Sequence, residues 1–312
     1  MNELIVYTHK DCLKKFNGIN HPERKERLEI LNKSIKEINN KKIIFKESKL
    51  AKPEIISLVH PKKYIDNIFN NIPNEGLVSV EKEPYADTFL CSNSKNAILR
   101  SCGSGIDAAD SMCKDNIRRF FCLVRPPGHH AETARANGFC FFNNIAITAN
   151  YLINKYSISK IGIVDFDVHH CNGTQEIFYN TENVFLGSIH QFPLFPGTGS
   201  IEERGKGNIF NAPIEANTNS KNFISTFNNL ILDNLDKFKP EVILISSGFD
   251  AHERDPLSNI NLKSKDYYTI TKNIVDIANN HSNGKIISFL EGGYDLLALS
   301  ESIKEHIFAL IE

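Results

Sequence analysis

The sequence is short of the features that mark several protein classes. No stretch approaches the roughly 20 uninterrupted apolar residues that a membrane-spanning helix needs, so no membrane association is expected. No block of like charge occurs beyond Lys pairs such as Lys14-Lys15 and Lys41-Lys42, and the formal net charge is -1 over 312 residues. A dedicated nucleic-acid binder is thereby disfavoured, and no direct nucleic-acid contact is expected. The segment Met1 to Tyr7 lacks the basic region and long apolar core of a signal peptide and reads instead as a first strand. There is no C-x-x-C pair: Cys12, Cys91, Cys102, Cys113, Cys122, Cys140 and Cys171 are scattered and odd in number. That usage fits a reducing compartment, and a soluble cytoplasmic protein is expected. Repeats, low-complexity tracts and heptads are missing too, so nothing selects an oligomeric state and an oligomer stays open.

What is present is apolar material in short, regularly placed runs. At 41% hydrophobic residues the chain has enough to bury a large core, and residues 1–312 are expected to form a single domain. Strand-length runs lie at Leu4 to Thr8, Ile43 to Lys46, Phe120 to Val124, Lys160 to Asp165, Val184 to Ser188, Val242 to Ser246 and Lys285 to Leu290. Helical spacing fills the intervals at Pro22 to Ile38, Pro53 to Asn70, Lys95 to Met112, Asn143 to Tyr156, Lys221 to Phe238 and Lys265 to Asn280, with a last helix from Leu296. Strands made of nearly continuous Ile, Val, Leu and Phe are buried on both faces. The pattern predicts an α/β fold, a three-layer α/β/α sandwich around a mainly parallel sheet. Ligands in such sheets bind beyond the carboxyl ends of the strands, so the polar residues just after each strand are the ones to inspect.

Four strand ends carry chemistry. The run Lys160 to Asp165 continues into Phe166-Asp167-Val168-His169-His170, where alternation along an extended chain puts Asp165, Asp167 and His169 on one side. A carboxylate oxygen and an imidazole nitrogen are ordinary Zn2+ ligands, and three protein ligands with one open position make a catalytic site. The run ending at Ser246 leads to Ser247-Gly248-Phe249-Asp250-Ala251-His252, offering Asp250 as third ligand with His252 as a weaker rival. A lone Asp after a strand is more often a helix cap, but two acid-rich strand ends in one sheet weigh against that. After Phe120 to Val124 comes Arg125-Pro126-Pro127-Gly128-His129-His130, a stiff turn before two histidines suited to acid–base work. The last strand ends in Glu291-Gly292-Gly293-Tyr294, where a phenol follows glycines that admit close backbone approach. The Gln191 to Gly205 stretch, rich in Pro and Gly, is expected to be a loop forming a pocket wall.

Taken together, Arg125 to Ala131 (RPPGHHA), Asn143 to Ala146 (NNIA), Val164 to His170 (VDFDVHH), Pro196 to Gly199 (PGTG), Gly248 to Asp250 (GFD) and Glu291 to Tyr294 (EGGY) resemble the zinc-dependent histone deacetylase family. The order matches from His21-Pro22-Glu23-Arg24 to Tyr294, and the sequence looks most similar to the class II and bacterial amidohydrolase branch, which includes acetylpolyamine deacetylases and acetoin-utilisation proteins. The resemblance implies the arginase-deacetylase fold and one Zn2+ held by Asp167, His169 and Asp250. It implies His130 as general base and acid, His129 as electrostatic partner and Tyr294 as oxyanion donor, with Asp165 orienting His129 and Asn172 beside His130. Gly138 and Phe139 match one wall of the family's acyl-lysine channel and Phe195 the other, Asp87 a rim residue that contacts substrate, and Arg27 the arginine of an internal acetate-exit channel. Where one polyamine branch carries a gatekeeping Glu, this chain has Leu257. A structural K+ is implied near Asp165, Asp167 and His169, with Ser188 and Ile189 on the next strand. One position departs from the family: its usual glycine after the two histidines is Cys171, which would be strained if the backbone there required positive φ.

The implied reaction is hydrolysis of an acetyl-amide, acetyl-lysine or a small acetylated amine, to acetate and free amine. An acetylpolyamine-specific amidohydrolase and an inactive acyl-ligand-binding homologue are the alternatives. A ureohydrolase of the same fold would need further aspartates where His169 and His170 stand.

Overall fold

The computed structural model describes residues 3–80, 86–115 and 117–312. Ten strands occur among them: β1 Leu4–Thr8, β2 Ile43–Glu47, β3 Val78–Ser79, β4 Phe89–Leu90, β5 Arg119–Cys122, β6 Ile161–Asp165, β7 Val184–Gln191, β8 Ile209–Ile214, β9 Val242–Ser247 and β10 Ile286–Leu290. Eight of these form one sheet in the order β2-β1-β5-β10-β9-β6-β7-β8, and β3 and β4 make a small separate pair. Every pairing in the large sheet is parallel. Helices cover both sides, which is the sandwich that the continuous apolar strands predict. Ser94–Lys114 and Asn144–Tyr156 pack together against the strands, and Leu296–Ile311 packs on both Lys25–Glu37 and Asp266–His281.

The burial pattern explains the layers. Every residue of β5, β6, β7, β9 and β10 is buried, whereas the edge strand β2 is partly exposed along its length. Each Ile, Val or Leu taken out of water in the central strands contributes roughly 1.5–3 kcal/mol, which is why these runs contain so little else. The core also holds polar groups that are paired. His306 lies among the rings of Phe121, Phe166 and Phe249, with Nδ1 2.7 Å from Thr271 Oγ1 and Nε2 2.9 Å from Ser288 Oγ. His60 accepts the Asn143 N–H at Nε2 (2.9 Å) and donates from Nδ1 to the Thr133 carbonyl (3.0 Å). Burial pushes these imidazoles down, to about 3 for His306 and about 4 for His60, so both are neutral in the folded protein.

Local departures from the pattern have local causes. The run expected to be one helix from Pro53 to Asn70 is two, Pro53–Ile56 and Lys62–Asn70, because Pro61 disfavours helical backbone at His60. The segment 220–238 is helical throughout but carries a π-helical stretch at Phe227–Leu232. Strand β8 was not expected, because Asn211 and Pro213 interrupt its apolar run. It pairs only with β7, and an edge is where a strand tolerates proline. The short helix Asn172–Phe178 was also unanticipated; at seven residues, with Gly173 inside, it carries little periodic signal.

The sheet order positions the site. After β5 the chain reaches β6 across two places that are filled only later, by β10 and β9. The four adjacent strands β5, β10, β9 and β6 therefore present their carboxyl ends side by side, bringing the histidine turn, the tyrosine turn, Asp250 and the Asp167 segment together.

Candidate active site

Asp167, His169 and Asp250 form the one group of candidate metal ligands among the described residues, with ligand atoms all within 4.8 Å of one another and all three side chains buried. His169 Nδ1 lies 3.0 Å from Asp167 Oδ1 and 3.2 Å from Asp250 Oδ2. The remaining carboxylate oxygens are held by backbone N–H groups: Gly292 donates to Asp167 Oδ2 at 2.8 Å and Val168 to Asp250 Oδ1 at 2.9 Å. Asp250 Oδ2 is buried without a well-formed hydrogen bond. Burial and the neighbouring Asp167 charge push the Asp250 carboxyl up, while Asp167, though buried, is held low by His129 and His169. Two glycines make the cradle. A Cβ at Gly292 would meet Asp250 Oδ2 at 1.9 Å, and one at Gly248 would meet Asp167 Oδ2 at 2.1 Å. Crowded carboxylates, an orphaned oxygen and an imidazole nitrogen facing both acids suit a divalent cation with oxygen and nitrogen ligands. His252 stands outside the group, bonded through Nε2 to Ser264 Oγ at 3.1 Å and accepting the Arg254 N–H at Nδ1.

The histidine turn lies beside these acids. His129 Nδ1 sits 3.0 Å from Asp165 Oδ2, and its Nε2 is 3.9 Å from Asp167 Oδ1. Burial alone would depress this imidazole, but Asp165, Asp167 and Glu291 reverse the effect and raise it to about 10. His130 goes the other way: burial, then the neighbouring His129 and His169, push it well below the usual histidine range. Its tautomer follows from Asn172, whose Nδ2 donates to Glu132 Oε1 at 2.8 Å, leaving Oδ1 to accept from His130 Nδ1 at 2.8 Å. A neutral ring with its proton on Nδ1 leaves Nε2 bare and able to take a proton. Gly138, at φ +51, passes so close that a Cβ would meet His130 Cδ2 at 2.4 Å.

Tyr294 is held from behind. Arg27, fully buried, donates from Nε to the Gly293 carbonyl (2.6 Å) and from Nη2 to the Glu291 carbonyl (2.5 Å), and its guanidinium lies 5.0 Å from the Tyr294 ring centroid. Asp255 Oδ2 accepts the Tyr294 N–H at 2.7 Å and the Asp295 N–H at 3.3 Å. Burial keeps the phenol well above its usual range, so it is a hydrogen-bond donor at neutral pH. The sequence reading missed Asp255. An acid before a proline carries no signal for a contact made 39 residues along the chain.

These groups open on one cavity of about 210 Å3, lined by His129, His130, His169, Gly292 and Tyr294 at its base and by Asp87, Gly138, Phe139, Leu194, Phe195 and Leu257 toward its walls. Phe139 packs edge-on against Tyr294 (6.1 Å between centroids) and Phe195 edge-on against His130 (5.0 Å), so each wall rests on a residue of the cavity base. A larger open groove of about 800 Å3 shares Phe195 with it but contains none of the acids or histidines of the base. Asp87 accepts from Thr88 Oγ1 (2.6 Å), whose oxygen in turn accepts the Phe139 N–H (3.0 Å), linking rim to wall. Asp165 and Ser188 are register partners across β6 and β7, with Ile189 next along β7. Cys171 has φ -79 and ψ 60, so the left-handed backbone that would strain a cysteine is not required there. Asn172 accordingly reaches His130 without distortion at that step.

Residues 21–310 match the histone deacetylase domain. The chain belongs to the histone deacetylase family. A probable deacetylase of Archaeoglobus fulgidus is 33% identical, with 94% of this chain and 81% of that protein aligned. Histone deacetylase 10, chloroplastic, of Oryza sativa subsp. japonica is 33% identical over 93% of this chain and 70% of its own length. Type-2 histone deacetylase 2 of Dictyostelium discoideum is 33% identical over 99% of this chain, which spans only 21% of that longer protein. Among solved structures, the HDA15 HD domain superposes with a TM-score of 0.92 at 29% identity, covering 99% of this chain and 88% of that one. Membership of the histone deacetylase family supports a hydrolase that removes acetyl groups, and it establishes the arginase-deacetylase fold expected from the sequence. No helix among the described residues is long and apolar enough to cross a membrane.

Proposed function

We propose that residues 1–312 act as one catalytic domain that hydrolyses an acetyl-amide with a single Zn2+ held by Asp167, His169 and Asp250. The observation that carries this reading is that His130, Tyr294 and the candidate ligand His169 all line the same 210 Å3 cavity. Zinc, when bound, supplies a Lewis acid that polarises the acetyl carbonyl and eases deprotonation of water. His130 takes the proton of the attacking water and later delivers it to the leaving nitrogen. His129, oriented by Asp165, balances charge beside it, and Asn172 fixes the His130 tautomer. Tyr294 donates its hydroxyl proton in a hydrogen bond to the carbonyl oxygen as that atom gains negative charge. Phe139 and Phe195 flank a linear chain, with Asp87 at the rim, and Arg27 serves acetate release beneath the tyrosine. A structural K+ fits beside Asp165, Ser188 and Ile189.

Acetyl-lysine or a small acetylated amine is the substrate proposed. Leu257 at the wall offers no charge to a second ammonium group, which favours acyl-lysine over an acetylpolyamine. Free thiols at all seven cysteines support a reducing compartment, and we place the protein in the cytoplasm.

The test is turnover of zinc-loaded protein on an acetyl-lysine peptide, acetylputrescine, acetylspermidine and a trifluoroacetyl-lysine reporter. Hydrolysis is expected, and Tyr294→Phe should lower kcat about 10²–10³-fold while zinc content is unchanged. Absence of turnover on every substrate would favour an acyl-binding protein instead, and turnover indifferent to Tyr294→Phe would remove Tyr294 from the reaction.

A further inference from the structure

Glu291 is completely buried at the end of β10, between the histidine turn and the tyrosine turn. Its Oε2 accepts two backbone hydrogen bonds, from Gly128 N–H at 2.8 Å and His129 N–H at 3.2 Å. Its Oε1 is buried with no partner. The same short segment touches the other parts of the site: the Glu291 carbonyl accepts from Arg27, the Gly292 N–H donates to Asp167, and Tyr294 follows two residues later. Through Glu291, the loop that carries both candidate acid–base histidines is tied to the loop that carries the tyrosine.

We infer that Glu291 is a positioning residue for the reaction, its carboxyl group clamping the Gly128 and His129 amides so that the two imidazoles keep their placement over the Asp167 ligand. The inference rests on the function proposed above. A buried carboxyl group in this place needs a reason, since a polar atom left without a partner away from water is costly and Oε1 is such an atom. The clamp supplies one. Pro126 and Pro127 lack backbone N–H groups, so Gly128 and His129 carry the first free donors of the turn, and both are spent on Glu291. With the main chain pinned at His129, the Nδ1 contact to Asp165 and the ring contact between His129 and His130 (4.0 Å between centroids) are set by short, stiff connections. A carboxamide has the same shape and an oxygen that accepts the same two bonds, whereas a methyl group accepts none.

The experiment compares the zinc-loaded 312-residue protein with Glu291→Gln and Glu291→Ala. Three quantities are read: amide hydrogen exchange over residues 126–130, bound zinc per chain, and kcat and KM on the acetyl-lysine reporter. For Glu291→Ala, the clamped amides should exchange at least tenfold faster and kcat should fall about 10²-fold, the scale of a misplaced catalytic group, with KM and zinc content little changed. Glu291→Gln should restore slow exchange and hold kcat within about threefold of the parent. The inference is overturned if exchange at these amides in Glu291→Ala matches the parent, or if Glu291→Gln loses protection and kcat as fully as the alanine variant. Exchange is read without turnover, so an inactive parent protein would refute the proposed function while leaving the clamp to stand or fall on its own measurement.

Discussion

Gly292 is the position where one added methyl group gives the sharpest test of the proposed metal centre. Its backbone is not left-handed, in contrast to Gly293 at φ +113, so alanine is acceptable to the main chain and the effect is one of space alone. The new Cβ would fall 1.9 Å from Asp250 Oδ2 and 2.5 Å from Asp167 Oδ2. To reach ordinary contact near ~3.4 Å, those oxygens must retreat by about 1.5 Å and about 0.9 Å, or the loop must move by as much. A zinc site tolerates departures of about 0.2 Å in its ligand distances, so both carboxylates leave the range in which they bind. Zinc affinity is therefore expected to fall by at least about 100-fold in Gly292→Ala, with about 1–3 kcal/mol lost from the fold through overpacking. Chelator-competition titration measures the affinity, and thermal unfolding of metal-free protein measures the fold. Gly105→Ala is the control, since its Cβ meets Thr148 Oγ1 at 2.0 Å and the Phe289 ring at 2.8 Å in the core, away from the ligands. That variant should lose stability and keep its zinc affinity. If Gly292→Ala binds zinc within threefold of the parent, the three residues do not hold the metal in this arrangement.

Two further outcomes follow from other parts of the molecule. Leu257→Glu should shift relative turnover toward acetylputrescine over the acetyl-lysine reporter by about fivefold, the ~1 kcal/mol of a partly exposed ion pair, and an unchanged ratio of kcat/KM would remove this wall position from substrate choice. His60 and His306 are buried and neutral, with folded values of about 4 and about 3 against about 6.5 when unfolded, so the unfolded chain binds more protons between those limits. Their contribution is fully present above pH 6.5 and is lost as pH falls toward 4, costing roughly 2 kcal/mol per histidine by pH 5. Urea unfolding of metal-free protein at pH 8 and pH 5 should show this loss, and His306→Gln should shrink the difference; an equal pH dependence in that variant would refute the assignment.

What could be read from the sequence was whatever repeats at short range. The seven expected strands are all present; the five central ones announce themselves in a few residues because they are buried on both faces, while the edge strand β2 shows only a short apolar run, Ile43 to Phe45. Asp167 and His169 were legible for a similar reason, since they stand two apart after such a strand and carry ligand chemistry. The less legible features depend on partners distant in the chain. Nothing beside Asp255 in the sequence points to the Tyr294 amide, and nothing beside Glu291 points to Gly128 and His129. Strand β8 escaped because its identity comes from β7 beside it rather than from its own composition. Cys171 shows the converse error: a family position suggested a backbone demand that φ -79 does not make.

The passage of the chain from β5 to β6 over two empty places has a consequence for biosynthesis. The slots between those strands are closed by β9 and β10, which come from the last quarter of the sequence, so the middle of the sheet is made after its flanks. A growing chain that has emerged only as far as β8 carries the histidines and Asp167 but neither Asp250 nor Tyr294. Such a nascent chain lacks one of the three proposed metal ligands and the proposed oxyanion donor. Under the proposed function the site is completed late and in two steps, Asp250 following β9 and Tyr294 following β10.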